Sequence, residues 1–430
     1  MVHAFRLDDL TRRHLRRLEL LAHDVTAPFS CGGTVPLAAP PTLRFPTGHR
    51  LPLDLDRASY RVVEALKRRA RKASFGEGSS TRQDPQVRDG LQLSAAGEAF
   101  TVGGFDPEAL GILGTVRAAL CPRDPNPLRA ELYALNLYQY GGHFAPHKDT
   151  PRGDDMLGSL VIGLASAYDG GDLVISHRGA TETYAWGRRS LGTEPHAGWA
   201  AFFGDVDHEV RWVSSGTRIT LSYILRRGEG AALDVAAPHS QTEALAAALS
   251  EALADRAFFP HGGVLGFSCF HLYAESPGLL RGAATLTEAT AGRLKGRDQH
   301  VAATAMRLGL VTRFVPYLVE MCAEQRWALA SHLSETQRMM FRRPRLTASG
   351  IASKLKVAED HHDDDSVTWV VVPRLDARSP LRDGAAAEFL GEVEYSSTGY
   401  FGNEGGPDEF YAHAALLVEV PPAAQRGRPG

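Results

Sequence analysis

The segment Tyr138-Gln-Tyr-Gly-Gly-His-Phe-Ala-Pro-His147-Lys-Asp149 places an imidazole and a carboxylate two residues apart, just after a Gly-Gly turn. A second imidazole, His208, lies far downstream, and Arg218 follows it by ten residues. In an extended strand, residues two apart share a face, so His147 and Asp149 serve one site if their segment is a strand. For His208 to join them, a remote strand must fold back beside the first. The flanking sequence agrees. Residues 131–138, 159–164, 172–176, 198–203 and 218–225 are short, β-rich and bounded by Gly or charged turns. Strands at this spacing without intervening helices predict an antiparallel jelly roll rather than a parallel sheet.

The chemistry of the set is specific. Two neutral imidazoles and one carboxylate hold ferrous iron on one face and leave the opposite face open. Iron that must accept a bidentate 2-oxo acid and dioxygen can take only three protein ligands. Arg218, with Thr220 on the same strand face, offers a guanidinium fork and a hydroxyl to the distal carboxylate of such an acid. In this order the residues describe an iron oxygenase that uses 2-oxoglutarate, with His147, Asp149 and His208 on the metal and Arg218 and Thr220 on the cosubstrate.

Bulk properties narrow the setting. A chain of 430 residues is too long for one ordinary core and suggests two or three domains. Its 43% hydrophobic and 23% charged residues are those of a globular protein, not a disordered one. A net charge of −3 gives no general attraction to nucleic acid or anionic lipid. The four Cys (31, 121, 269 and 322) form no CxxC pair, which argues against a disulfide framework or structural zinc and for a reducing compartment. The N-terminus is charged and lacks an apolar stretch, and no 18-residue apolar run occurs, so the expected location is cytoplasmic.

Along the chain, residues 1–100 read as helices (7–23, and a basic one at 57–72) and an irregular lead-in at 28–52, packing on the barrel. The catalytic core is expected at 101–230. Residues 236–430 read as an α+β domain of unknown role, helical at 241–256 and 300–330, with strands at 266–273, 367–372 and 414–420. The fold class is therefore mixed α/β (α+β): a double-stranded β-helix with flanking helices plus a C-terminal α+β domain. Other motifs carry less. His361-His-Asp-Asp-Asp365, with His413 downstream, has a solvated loop's composition. Gly402-Asn-Glu-Gly-Gly406 lacks the strand-to-helix context of a phosphate loop. Cys121 and Cys322 have no adjacent base and read as buried thiols.

These residues resemble the 2-oxoglutarate/Fe(II) dioxygenase superfamily, and within it the prolyl 4-hydroxylase-like branch. Tyr138-x-x-Gly-x-x-Phe144-x-x-His147-x-Asp149 is similar to that branch's lead-in, with Phe144 where Tyr is common. The interval from His208 to Arg218 is similar too, although Lys is frequent at the last position. Residues 73–76, 128–138, 149–153, 199–210 and 399–405 also look like segments of large oxygenases of unassigned substrate.

The resemblance implies an enzyme that uses Fe(II), 2-oxoglutarate and O2, with ascorbate as an accompanying reductant, and releases succinate and CO2. Halogenating members carry a small residue at the carboxylate position, so Asp149 favours hydroxylation of an unactivated C–H. The lead-in Asn136-x-Tyr138 is also similar to that of AlkB-type nucleic-acid demethylases, whose Asn and Tyr contact the cosubstrate. That makes Asn136 and Tyr138 candidates for the same role. Thr220, Ser222 and Ile224 depart from the Asn, Thr and second Arg that close the AlkB pattern, which weighs against nucleic acid as a partner. Arg152 is a candidate substrate contact. The expected substrate is a peptidyl residue, foremost proline; a free amino acid or secondary metabolite, and a non-catalytic iron or 2-oxoglutarate sensor, stay open. No membrane partner is expected.

Overall fold

A computed structural model describes residues 8–53, 59–77, 80–153, 155–164, 166–187, 196–229, 240–274, 284–320, 326–329, 367–371, 400–401 and 411–426. Within them the chain is mixed α/β with mostly strand content. The sequence runs expected as strands form Leu128–Tyr138, Met156–Leu164, Leu173–His177, His196–Phe203 and Arg218–Arg227. A seven-stranded sheet runs, in spatial order, Ser30–Pro36, His196–Phe203, Met156–Leu164, Arg218–Arg227, Leu128–Tyr138, Leu91–Ser94 and Arg71–Lys72. A five-stranded sheet runs Ala180–Tyr184, Leu173–His177, Asp207–Val210, His143–His147 and Arg88–Asp89.

One buried hydrophobic cluster includes Leu135, Leu137, Leu160, Ile162, Ile219 and Leu221 of the larger sheet and Leu173 and Ile175 of the smaller. The outer face of the larger sheet is also covered. Ile112, Val116 and Leu120 recur at helical spacing along Ile112–Leu120 and are buried against it. That double coverage explains why the last five residues of Leu128–Tyr138 are buried on both faces instead of alternating.

Register decides which side chains meet. In the antiparallel pair Leu128–Tyr138 and Arg218–Arg227, Tyr138 lies opposite Arg218 and Asn136 opposite Thr220. In the smaller sheet, His147 lies opposite His208. Asp149 falls two residues past the end of its strand rather than on it, and its backbone N–H is held by the Gly204 carbonyl at 3.0 Å.

A second core gathers the helices Ser240–Ala254 and Gly296–Arg307 on a sheet that includes Gly263–Ser268, Thr312–Glu320 and Tyr411–Val420. Val367–Val371 joins that sheet parallel to Gly263–Ser268.

Four expectations need correction. The helix Asp9–Asp24, capped by Asp8 through the N–H groups of Leu10 and Thr11, packs into this second core and not on the barrel. Its Leu18 and Ala22 meet Ala248 and Ala252, small residues that allow close helix approach. The segment 28–52 is not irregular, since Ser30–Pro36 forms the edge strand of the large sheet. The helix expected at 57–72 spans Ser59–Lys67, and Arg71–Lys72 instead pairs with Leu91–Gln92. The helix expected over 300–330 ends at Arg307, and the β-branched and aromatic run Thr312–Glu320 is a strand. Residues 361–365, 402–406 and Cys322 lie outside the described residues, as does the side chain of His413.

Leu160 is fully buried in the hydrophobic cluster of the larger sheet. Leu160→Ala is expected to cost about 2–5 kcal/mol of folding stability, read from the midpoint of urea unfolding at constant slope.

Candidate metal and cosubstrate site

One pocket between the sheets is lined by Asn136, Tyr138, His147, Asp149, Arg152, His208, Arg218 and Thr220, so every residue singled out in the sequence reaches a common cavity. The rings of His147 and His208 are 4.1 Å apart between centroids, and His208 Nε2 lies 3.6 Å from Asp149 Oδ1. Each imidazole donates from Nδ1 to the carbonyl two residues before it, His147 to Ala145 at 2.8 Å and His208 to Val206 at 3.2 Å. A carbonyl can only accept, so both rings carry their proton on Nδ1 and keep the Nε2 lone pair for another partner. Ser159 donates to Asp149 Oδ2 at 2.8 Å, which orients the carboxylate. His147 stacks on Phe144 with 3.5 Å between ring centroids. Burial, followed by the nearby His208, holds its pKa well below the usual 6.5, so the ring stays neutral, as a metal ligand must.

Arg218 is 1% exposed, and its Nε and Nη2 have no hydrogen-bond partner among the described residues. A buried guanidinium with unmatched donors is costly. The site around it is nevertheless built: Tyr138 and Trp186 present rings 5.6 and 5.9 Å from its carbon, and Tyr168 hydrogen-bonds it. Trp186 owes its seat to two glycines opposite each other in the sheet, Gly163 and Gly198, since a Cβ at either would collide with the indole. The donor set and the unmatched guanidinium fit a ferrous ion and a dianionic 2-oxo acid.

Thr220 is buried on the pocket wall beside this cation. Asn136 faces the pocket, but its Oδ1 accepts from Arg88 and Gln92, both at 3.0 Å, and its Nδ2 donates to Ser222 at 3.0 Å. Its amide therefore fixes the wall more than it offers a ligand contact. Arg152 lies over the Tyr133 ring and donates to its hydroxyl at 3.3 Å. Sequence reasoning missed Arg88, a buried pocket residue that reaches Asn136, the Ser74 carbonyl and the Tyr138 hydroxyl. It comes from the two-residue strand Arg88–Asp89, which leaves no periodic signal.

A second His/Asp cluster was not foreseen. His177, Asp205 and His271 bring ligand atoms within 4.8 Å of one another outside this pocket. There, however, Lys295 Nζ already sits 2.8 Å from Asp205 Oδ1, so the carboxylate has its cation. The pocket containing Arg218 has no lysine in its lining. The described cysteines behave as structural thiols: burial pushes Cys31 and Cys121 up to about 12. No helix among the described residues is long and apolar enough to cross a membrane.

Residues 133–226 match the family model of the 2OG-Fe(II) oxygenase superfamily. The matched segment contains His147, Asp149, His208 and Arg218. This part of the chain is a 2OG-Fe(II) oxygenase domain, and the protein is accordingly an Fe(II)/2-oxoglutarate-dependent dioxygenase, an enzyme class that uses Fe(II), 2-oxoglutarate and O2.

Solved structures similar to the chain include a Pseudomonas putida prolyl-4-hydroxylase, at 16% identity and a TM-score of 0.28, covering 49% of this chain and 100% of that one. A Burkholderia pseudomallei oxidoreductase of the 2OG-Fe(II) oxygenase family matches at 19% identity and a TM-score of 0.26, covering 53% and 96%. A Trichoplax adhaerens prolyl hydroxylase, solved with a hypoxia inducible factor peptide fragment, matches at 12% identity and a TM-score of 0.28, covering 51% and 92%. No curated protein matches the chain.

Two imidazoles, one buried and one half-buried, make the metal-free protein sensitive to acid. His147 and His177 are both held well below 6.5, chiefly by burial. The unfolded chain binds protons at about 6.5 that the folded chain refuses, so stability is full above that pH and falls as pH drops through it. Melting temperature measured against pH is expected to fall below pH ~6.5, and to fall less steeply in His147→Gln.

Proposed function

We propose that the protein hydroxylates an unactivated C–H of a peptidyl residue, foremost proline, coupled to conversion of 2-oxoglutarate to succinate. The two facing sheets make a double-stranded β-helix core within 101–230, extended by strands from 30–94, and 236–430 form a C-terminal α+β domain. The carrying observation is the buried Arg218, with two donors unmatched, in the same pocket as His147, Asp149 and His208. His147, Asp149 and His208 would hold Fe(II). Bound iron, with 2-oxoglutarate and O2, supplies the oxidising power. Arg218 would hold the distal carboxylate of 2-oxoglutarate through its unmatched donors, with Thr220 adjoining. Tyr138 and Trp186 keep water from that contact, and Arg88 holds Tyr138 and Asn136 in place. Arg152 stands on the wall as a substrate contact. The prolyl reading rests on the Tyr138–Asp149 lead-in and the interval from His208 to Arg218.

Purified enzyme with Fe(II), 2-oxoglutarate and ascorbate is expected to form succinate in step with one added oxygen on a proline-containing peptide. Oxygen gained only by free amino acids would move the substrate to that class, and no succinate under any condition would leave a sensor. Arg218→Met is expected to raise the KM for 2-oxoglutarate about 100-fold, on the order of 3 kcal/mol for a lost buried charge pair.

A further inference from the structure

The turn that precedes His208 carries the backbone carbonyls that orient two of the three iron ligands, Asp149 and His208. Gly204 accepts from the Asp149 N–H at 3.0 Å, and Val206 accepts from His208 Nδ1 at 3.2 Å. Asp205, between them, is 1% exposed and is absent from the pocket lining. Its side-chain partners come from the C-terminal half. Oδ1 accepts from Lys295 Nζ at 2.8 Å, and Oδ2 accepts from His271 Nδ1 at 3.0 Å and the Leu272 N–H at 2.9 Å. The ammonium is itself fixed. It donates to the Leu272 carbonyl at 2.8 Å and lies within 6.0 Å of the rings of Phe203, Tyr273 and Tyr411. Asp298 pins the same segment by accepting from the N–H groups of Phe270 and His271 and from the Tyr273 hydroxyl. Tyr411 also closes on the turn directly: a Cβ at Gly204 would lie 2.6 Å from its hydroxyl and 3.5 Å from Asp149 Cβ.

We propose that Asp205 is a positioning residue, through which the C-terminal half of the chain holds the turn that aims Asp149 and His208 at the metal. The proposal rests on reading His147, Asp149 and His208 as the iron site. It gives His271, Leu272, Lys295 and Tyr411 a task that neither the motif nor the superfamily match covers. The rival reading, a second metal at His177, Asp205 and His271, fits poorly. Lys295 already neutralises the carboxylate, and the two imidazoles stack nearly parallel, 12° apart, so their in-plane lone pairs do not converge.

Calorimetric titration of the full chain with Mn(II), an air-stable stand-in for Fe(II), tests both. The parent is expected to bind one equivalent, lost in His147→Ala; if that variant binds like the parent, the iron-site reading itself fails. The paired variant Asp205→Asn/Lys295→Met removes both charges, so no buried ion is left alone. It is expected to keep a cooperative unfolding transition while its Mn(II) affinity falls about 10- to 100-fold, the usual effect of losing a group that orients ligands. If it does not fold, Asp205→Asn alone, which can still accept from the Leu272 N–H, carries the same expectation with a smaller loss. Parental affinity in a folded variant overturns the proposal, as does a second Mn(II) equivalent that disappears in His177→Ala.

Discussion

The registers of two antiparallel strand pairs determine everything the pocket can do. Leu128–Tyr138 against Arg218–Arg227 sets Tyr138 opposite Arg218, and His143–His147 against Asp207–Val210 sets His147 opposite His208. Side chains alternate faces along a strand, so a slip of one residue would turn each partner out of the cavity. The register is enforced by burial. Leu135, Leu137, Ile219 and Leu221 alternate with the pocket residues, are buried in one hydrophobic cluster with Ile112, Val116 and Leu120, and cannot be exposed without losing it. The hydrophobic pattern that folds the sheets is therefore the same pattern that assembles the candidate site.

That coupling explains why so much was legible in the sequence. His147-x-Asp149, His208 and Arg218 could be read because each sits in or beside a run with a strong strand signature. Asn136 and Tyr138 were legible through the resemblance of their lead-in to the AlkB-type one, and the register sets them opposite Thr220 and Arg218. What escaped notice had no local signature. Cys31-Gly32-Gly33-Thr34 lies in the stretch 28–52 that reads as irregular, yet it is an edge strand whose small residues make room, since a Cβ at Gly32 would collide with the Tyr184 ring. Arg88 comes from a two-residue strand in a polar loop. Thr312–Glu320 falls in the stretch 300–330 that reads as helical, although Phe314 and Val315 belong to a buried sheet. Asp205 was visible only as part of the lead-in to His208, because its partners lie more than 60 residues away.

The two buried polar clusters differ in what they lack. Asp205, Lys295 and His271 satisfy one another: burial pushes the Asp205 pKa up, but Lys295 and then His271 draw it well below the usual 3.8, so the carboxylate stays charged. Such a pair is complete and serves as an anchor. Arg218, by contrast, keeps two donors unmatched, and the imidazoles beside it keep their Nε2 atoms turned to the same pocket. A buried charge left uncompensated destabilises a fold. The cost is understandable where a dianion and a divalent cation are the expected occupants.

The central claim, that His147, Asp149 and His208 and not the second cluster form the metal centre, is tested most directly by crystals grown with Mn(II) and 2-oxoglutarate, using anomalous scattering at the manganese edge. The account predicts one anomalous peak in contact with Nε2 of both imidazoles and with the Asp149 carboxylate, with the cosubstrate's far carboxylate on Arg218. A peak among His177, Asp205 and His271, with none at His147, would contradict it.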